Sequence, residues 1–312
     1  MAANKDSALK APSLATGMMF GGVATLIWGA WPVVTALGIE ANLTPYQLVI
    51  LRIFIAGPLL LPWAFRGKHS VSEWGKIAVL TVTAGAPYTY IVSNGFQFTS
   101  ATHGGVIIPG TIMLTTLVAS HFFLNDRMHR YRFIGACGIV IGLFLLAAGA
   151  ETAEGAPSSL IGDLLFFAGG ILWAAYTMLL RVWPMDPVVV TARVGLMSMV
   201  WVAVLYPFTD GVDFSDIPSG MLAFQALWQG TISAVIAIVL FNKGVAIMGA
   251  SRATVLNAII PVVSTILAFV VLSEVPTGTE QLGLLAILFG IATAMFLRPK
   301  PRRVPDTTTQ GN

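Results

Sequence analysis

Long apolar runs, separated at short intervals by charges, proline and glycine, dominate the chain. Ten of them fall at about 14–38, 43–65, 74–98, 101–124, 130–150, 159–182, 187–208, 219–247, 251–273 and 279–298. Each is close to the roughly 20 residues that a spanning helix needs. The runs are continuous, which predicts helices and not the alternating segments of about ten residues found in membrane barrels. The faintest divide is that between the third and fourth runs, where only Thr99, Ser100 and Thr102 suggest a short polar turn. Residues 219–247 exceed what a bilayer requires, so this helix is expected to be tilted, broken or partly outside. The predicted fold is an all-α integral membrane protein with ten transmembrane helices.

Composition agrees with this pattern. Hydrophobic residues fill 56% of the 312 positions and charged residues only 10%, against about a quarter charged in soluble domains. Mean hydropathy is +0.82, and a dissolved globular domain is excluded. With the N-terminus inside, one side receives Lys5, Lys10, Arg66, Lys68, Lys76, Arg127, Arg130, Arg132, Arg181, Lys243, Arg252, Arg298, Lys300, Arg302 and Arg303. The opposite side receives no basic residue; it holds Glu40, Glu151, Glu154, Asp210, Asp213, Asp216, Glu274 and Glu280. This bias predicts both termini on the cytoplasmic side. The net charge of +3 then reflects loops beside anionic lipid, so the implied partner is a lipid bilayer and no nucleic acid. Cys137, the single cysteine, cannot form an internal disulfide and is expected to be buried and inert. No cleavable signal peptide is evident, because the first apolar run is too long for one.

An internal repeat runs through the pattern. Gly17 and Trp28 answer to Gly162 and Trp173, each pair eleven apart, and Trp31 then answers to Tyr176. Pro45 with Arg52 matches Pro187 with Arg193. Gly95, Ala101, Thr102 and Val106 match Gly244, Ala250, Ser251 and Val255 at one offset, and Asp126, Gly135 and Gly142 match Glu274, Gly283 and Gly290. Five helices per half is an odd number, so the halves enter from opposite faces, an arrangement that puts a solute site between them near the midplane. The division is an N-terminal tail 1–13, a first repeat 14–150, an external linker 151–158, a second repeat 159–298 and a basic tail 299–312 expected to be disordered.

At these residues the sequence resembles the drug/metabolite transporter (DMT) superfamily, in its ten-helix branch of bacterial EamA-type permeases. The likeness is carried by Leu26-Ile27-Trp28-Gly29, Leu51-Arg52-Ile53-Phe54, Thr99-Ser100-Ala101-Thr102 and Asn125-Asp126-Arg127 in the first half. Leu172-Trp173-Ala174-Ala175-Tyr176, Gly249-Ala250-Ser251-Arg252, Pro261 and Ser273-Glu274 carry it in the second. Two positions depart from the family's habit: Pro109 lies about a turn early, and Asp126 stands where Glu is more frequent. The resemblance implies a secondary transporter in a bacterial inner (plasma) membrane, exporting an amino acid or similar amphiphilic solute by alternating access. It implies no cofactor and no particular oligomer.

Polar residues inside spans are costly and usually face the bundle interior. Candidates for a solute cavity are Trp28, Trp31, Tyr88, Asn94, His103, Trp173, Tyr176, Trp228, Asn242 and Asn257, with Tyr90 and Gln225 beside them. Aromatic walls with a few amide groups suit a small amphiphilic solute; interface anchoring or helix packing is the other reading of the same side chains. Asp163 is an acid within the sixth span, read either as a proton-coupling carboxylate or as a solvated interfacial one. His103 could titrate during a cycle or be simply hydrogen-bonded. Arg52 and Arg193 offer an anion contact, or a structural role through snorkelling or backbone carbonyls.

Rival classes lack their residues. No His-Glu-x-x-His or P-loop occurs, and the four histidines are scattered at 69, 103, 121 and 129. An intramembrane enzyme is thus disfavoured, and a channel would need a filter sequence or ring of acids. A membrane scaffold or receptor without transport remains as the alternative, although it leaves the repeat without a purpose.

Overall fold

A computed structural model of the chain describes residues 13–67, 70–123, 129–150, 159–209, 211–249 and 256–297. Most of both tails, the 151–158 linker, Lys68, His69, Asn125-Asp126-Arg127, Asp210 and Ala250-Ser251-Arg252 lie outside the described residues. Among the described residues the protein is all-helical, and eight helices are long and apolar enough to cross a membrane.

Local chemistry sets most helix starts. Helix α1 (Leu14–Glu40) opens at Ser13, whose hydroxyl accepts the Thr16 N–H at 3.2 Å. Helix α2 (Pro45–Ala64) opens on a capping box of Thr44 and Gln47, with proline in its first turn. The third apolar run is two helices, α3 (Val71–Ala84) and α4 (Ala86–Gly95), parted at Gly85. Pro87 has no N–H to continue the ladder, and the Ala86 N–H donates instead to Ser198 Oγ at 3.1 Å. Next come α5 (Ala101–Phe123), α6 (Arg130–Ala150), α7 (Ser159–Val182) and α8 (Pro187–Leu205), which carries Ser198.

The eighth run is one unbroken helix of 30 residues, Ser219–Met248. It comprises α9 (Ser219–Gln225), a π-helical segment Ala226–Ile236 and α10 (Ala237–Met248). The wider winding of its middle, with bonds spanning five residues, takes up length that the sequence left to tilt or a break. A short turn at Asn257–Ile259 leads into α11 (Ile260–Leu272), with Pro261 in its first turn, and α12 (Gly278–Phe296) closes the bundle.

Charges sort between the two ends. The end holding the last residues of α1, α4, α8 and α11 has only acidic charges among its described residues: Glu40, Asp213, Asp216, Glu274 and Glu280, with Asp163 a turn inside. Arg66, Lys76, Arg130, Arg132, Arg181 and Lys243 lie toward the other end, with Glu73 and Asp186. Outside, the bundle is apolar: Phe122 and Phe144 are 72% and 73% exposed. Inside it buries Thr25, Thr35, Gln225, Gln229 and Ser264. This reversal of the soluble-protein pattern fits hydrocarbon as the surrounding solvent.

Helix neighbours come in matching pairs. Helix α1 lies along α10 and the π-helical segment, as α7 lies along α3 and α4; α2 crosses α8, α5 packs on α11, and α6 runs the length of α12. Along that last seam backbone meets backbone. A Cβ on Gly135 would sit 2.5 Å from Gly290 O and one on Gly290 2.6 Å from Gly135 O; Gly142 and Gly283 oppose each other at 2.6 and 2.8 Å. Cys137 is exposed on α6, away from this seam, which corrects the expectation of a buried thiol.

Arg193 illustrates how a buried charge is held. It is 1% exposed and donates to Ala64 O at 2.9 Å and to Arg66 O at 2.7 Å. It also pairs with Glu73 at 2.9 Å and lies over the Trp74 ring at 5.6 Å. These contacts clamp α8 to the end of α2 and the start of α3. Replacing Arg193 by Met removes three charge-assisted bonds and is expected to cost about 2–4 kcal/mol. Thermal unfolding in detergent checks this; an unchanged midpoint would refute the clamp.

Candidate functional site

Helical spacing puts Trp28, Trp31 and Thr35 on one face of α1, turned toward Ser219–Met248. From that partner Gln225, Gln229 and Ser233 recur at every fourth position, the last two inside the π-helical segment. Trp31 Nε1 donates to Gln229 Oε1 at 2.8 Å, and Trp28 Nε1 reaches Ser233 O at 3.4 Å. The Gln229 amide donates to Thr35 Oγ1 and to Gln225 Oε1, each at 3.2 Å, and Gln225 donates to Val34 O at 2.6 Å. Buried amides thus find partners one after another, as a low-dielectric interior demands.

Arg52 continues this polar face onto α2. Its Nη1 donates to Ser233 Oγ at 3.0 Å. Tyr88 of α4 is within electrostatic reach of the guanidinium. The Tyr88 ring is 5.1 Å from Trp173, which is 5.4 Å from Tyr176, both on α7. A run of polar and aromatic side chains drawn from both halves of the chain thus includes Trp28, Ser233 and Arg52, then Tyr88, Trp173 and Tyr176. Arg52 lies deep among protein atoms yet keeps part of its surface accessible. Among the described residues no carboxylate is within ion-pair distance of it.

The remaining candidates distribute elsewhere. Asn94 donates to Tyr90 O, four residues back on its own helix, at 2.8 Å. Trp228 Nε1, Asn242 Nδ2 and Asn257 Oδ1 are buried without a hydrogen-bond partner among the described residues. Arg193 stands apart, engaged in the clamp near Arg66.

His103 and Asp163 form a second cluster at the acidic end. His103 Nδ1 is 2.7 Å from Asp163 Oδ1, and His103 Nε2 is 3.2 Å from Glu280 Oε1. Asp163 is only 7% exposed, so it is not the solvated interfacial acid of the alternative reading. Ser273 ends α11 in the left-handed region (φ 56°) and turns the chain so that Glu274 reaches α5. There its carboxylate accepts from the Ala101 and Thr102 N–H groups at 2.7 and 2.8 Å and from Thr102 Oγ1 at 2.6 Å. A negative group at a helix start is favourably placed. A cavity of about 400 Å³ opens beside the cluster, lined by Phe98, Ser100, His103, Ser159, Glu274 and Glu280 among others.

Gln229, Ser233, Glu274 and Glu280 were not singled out from the sequence as site residues. Glu280 had a readable signal, since Thr277-Gly278-Thr279-Glu280 is a capping-box pattern and the structure forms that box. Gln229 stands four residues past Gln225, on the same helical face.

The sequence pattern of the EamA-like transporter family matches residues 15–148 and again residues 160–296. A Bacillus subtilis protein described as the uncharacterized transporter YoaV is 28% identical over 284 residues, 87% of this chain and 94% of its own. An Archaeoglobus fulgidus protein described as an uncharacterized transporter is 24% identical over 278 residues, 85% and 92% of the two chains. A solved crystal structure, 21% identical, superposes with a TM-score of 0.59 over 90% of this chain and 96% of that one. This last likeness speaks to the fold alone.

Proposed function

The chain belongs to the EamA-like transporter family, and on that premise we propose that it is a secondary transporter working by alternating access. A transporter, and no enzyme, is what the family and the described relatives indicate. The solute is an amino acid or similar amphiphilic molecule, moved outward across a bacterial inner membrane. The spans number ten when α3 and α4 count as one and Asn257–Leu272 as another. The acidic end faces outward and both termini lie in the cytoplasm, by the rule that basic loops stay inside.

Two inverted five-helix halves are supported by reciprocal contacts. The repeat equates Gly135 with Gly283 and Gly142 with Gly290, yet Gly135 meets Gly290 and Gly142 meets Gly283. Such crossed pairing is what a two-fold axis requires. Likewise a Cβ on Gly244 would lie 3.1 Å from Gly17 O, and one on Gly162 would lie 2.8 Å from Gly95 O. The third helix of each half is irregular at matching depth, broken at Gly85 in one and π-wound in the other. Discontinuous helices at the midplane are a common way to line a solute site.

The observation that carries the transporter reading is the run of polar and aromatic side chains that includes Trp28, Arg52, Tyr88 and Trp173, drawn from both halves. Its aromatic faces receive the apolar body of the solute, and Arg52 receives an anionic group. A flux screen in reconstituted liposomes across amino acids, other metabolites and cationic dyes tests it. Transport of no solute, with or without a proton gradient, would end this reading. Trp28→Ala and Trp173→Ala should each slow flux about tenfold while the protein stays in the membrane. Unchanged flux would return both rings to helix packing.

A further inference from the structure

His103 faces a carboxylate at both ring nitrogens, on two different helices. A neutral imidazole has one N–H and one lone pair, so it can donate to only one carboxylate. Against two ionised carboxylates the second nitrogen would set its lone pair against oxygen lone pairs. The observed distances therefore require one further proton, on the imidazole or on the carboxyl group that faces its bare nitrogen. We infer that His103, Asp163 and Glu280 form a proton-binding site that fastens the acidic end of the bundle. With that proton bound, α5 is tied to both α7 and α12; without it, one of the two ties is lost.

The surroundings favour this assignment. His103 is 3% exposed, and Asp163 Oδ2 is buried with no partner among the described residues. Asp163 therefore depends on His103 for its compensation. The charged groups that the packed elements bring to this end are all acidic among the described residues. Helix α1 brings Glu40, α7 Asp163, the turn after α11 Glu274, and α12 Glu280; α6 and α11 bring none. Among the described residues no Lys or Arg is there to replace the proton. The cavity beside the cluster touches His103 and Glu280 and supplies a route for protons. No trio of donors among the described residues is arranged for a metal ion.

The site is also one-sided. By the repeat, His103 corresponds to Arg252 and Asp163 to Met18, so the opposite end carries no equivalent set. Proton binding thus acts at the acidic end alone. This names the coupling ion of the proposed transport cycle; it rests on that reading for its role but not for its chemistry.

The test uses purified protein in detergent, with Cys137→Ala and a reporter Ser159→Cys beside the cavity. Maleimide labelling is followed from acidic to alkaline pH and normalised to the same protein unfolded at each pH. The labelling rate should rise about tenfold on the alkaline side, as one charged hydrogen bond is lost. Glu280→Gln gives the neutral imidazole an amide donor, so both ties hold without an extra proton, and labelling should stay slow at every pH. His103→Gln should give a rate that no longer varies with pH. A flat profile in the parent protein, or an unchanged alkaline rise in Glu280→Gln, would overturn the site. Because the readout is labelling and not flux, failure of the transport screen would leave this result intact, and the reverse.

Discussion

Replacing Gly142 by leucine should remove most folded protein. A Cβ at Gly142 would lie 2.6 Å from Gly283 O and 2.5 Å from Ile287 Cγ1. Side chains can rotate away from a new neighbour, but the backbone of α12 cannot, so the two helices must separate. Packing across membrane helices rests on such small-residue approaches, with no hydrophobic drive to restore contact once it is lost. The expected cost is about 3 kcal/mol or more, the upper part of the range for overpacked sites. Gly22→Ala is the control, since a Cβ there meets nothing within 4 Å. It should be neutral or stabilise by up to about 1 kcal/mol through helix propensity. Unfolding midpoints and the monodisperse fraction after extraction decide the matter, and a Gly142→Leu protein as stable as the parent would refute the seam.

Arg52→Gln should produce the opposite pair of effects, lost transport with gained stability. The guanidinium has five N–H donors, and its described partner is the neutral Ser233 hydroxyl. An unneutralised charge held this deep is expensive to fold around, and its presence is rational if a solute supplies the missing anion. Removing it should raise the unfolding midpoint while lowering flux of carboxylate-bearing solutes about a hundredfold. That factor follows from a charged hydrogen bond of about 2–3 kcal/mol and a tenfold change per 1.4 kcal/mol. Arg52→Lys keeps the charge but loses the planar fork, so it should fall between the two. Unchanged flux with a lowered midpoint would make Arg52 a structural residue like Arg193.

Those two arginines show what a sequence can and cannot convey. Both were legible as repeat-related charges within spans, and nothing local distinguished them. Their difference is tertiary: Glu73 and two carbonyls at a helix end surround Arg193, whereas α4 and the π-helical segment surround Arg52. Helix extents were easier to read. The runs predicted at 130–150 and 159–182 coincide with α6 and α7, because charge or loop residues bound them sharply. The Gly85 break was hidden inside a continuous apolar run, and its replacement partner, Ser198, lies on another helix. Winding in the eighth helix was equally hidden, since excess length has several geometric outlets and composition does not choose among them. His103 and Asp163 were each visible alone. Their contact closes over 60 positions of chain and depends on Glu280, which reads as an ordinary capping residue.

The contact of α6 with α12 has a mechanical consequence. Two rods joined backbone to backbone act as a fulcrum, and a fulcrum permits rotation while forbidding separation. In the proposed cycle, displacement between the halves would then grow with the lever arm from that edge, smallest beside Gly142 and larger where α2 meets α8. The amplitude of any opening is therefore a matter of leverage, set by the width of the bundle and by how far the seam can turn.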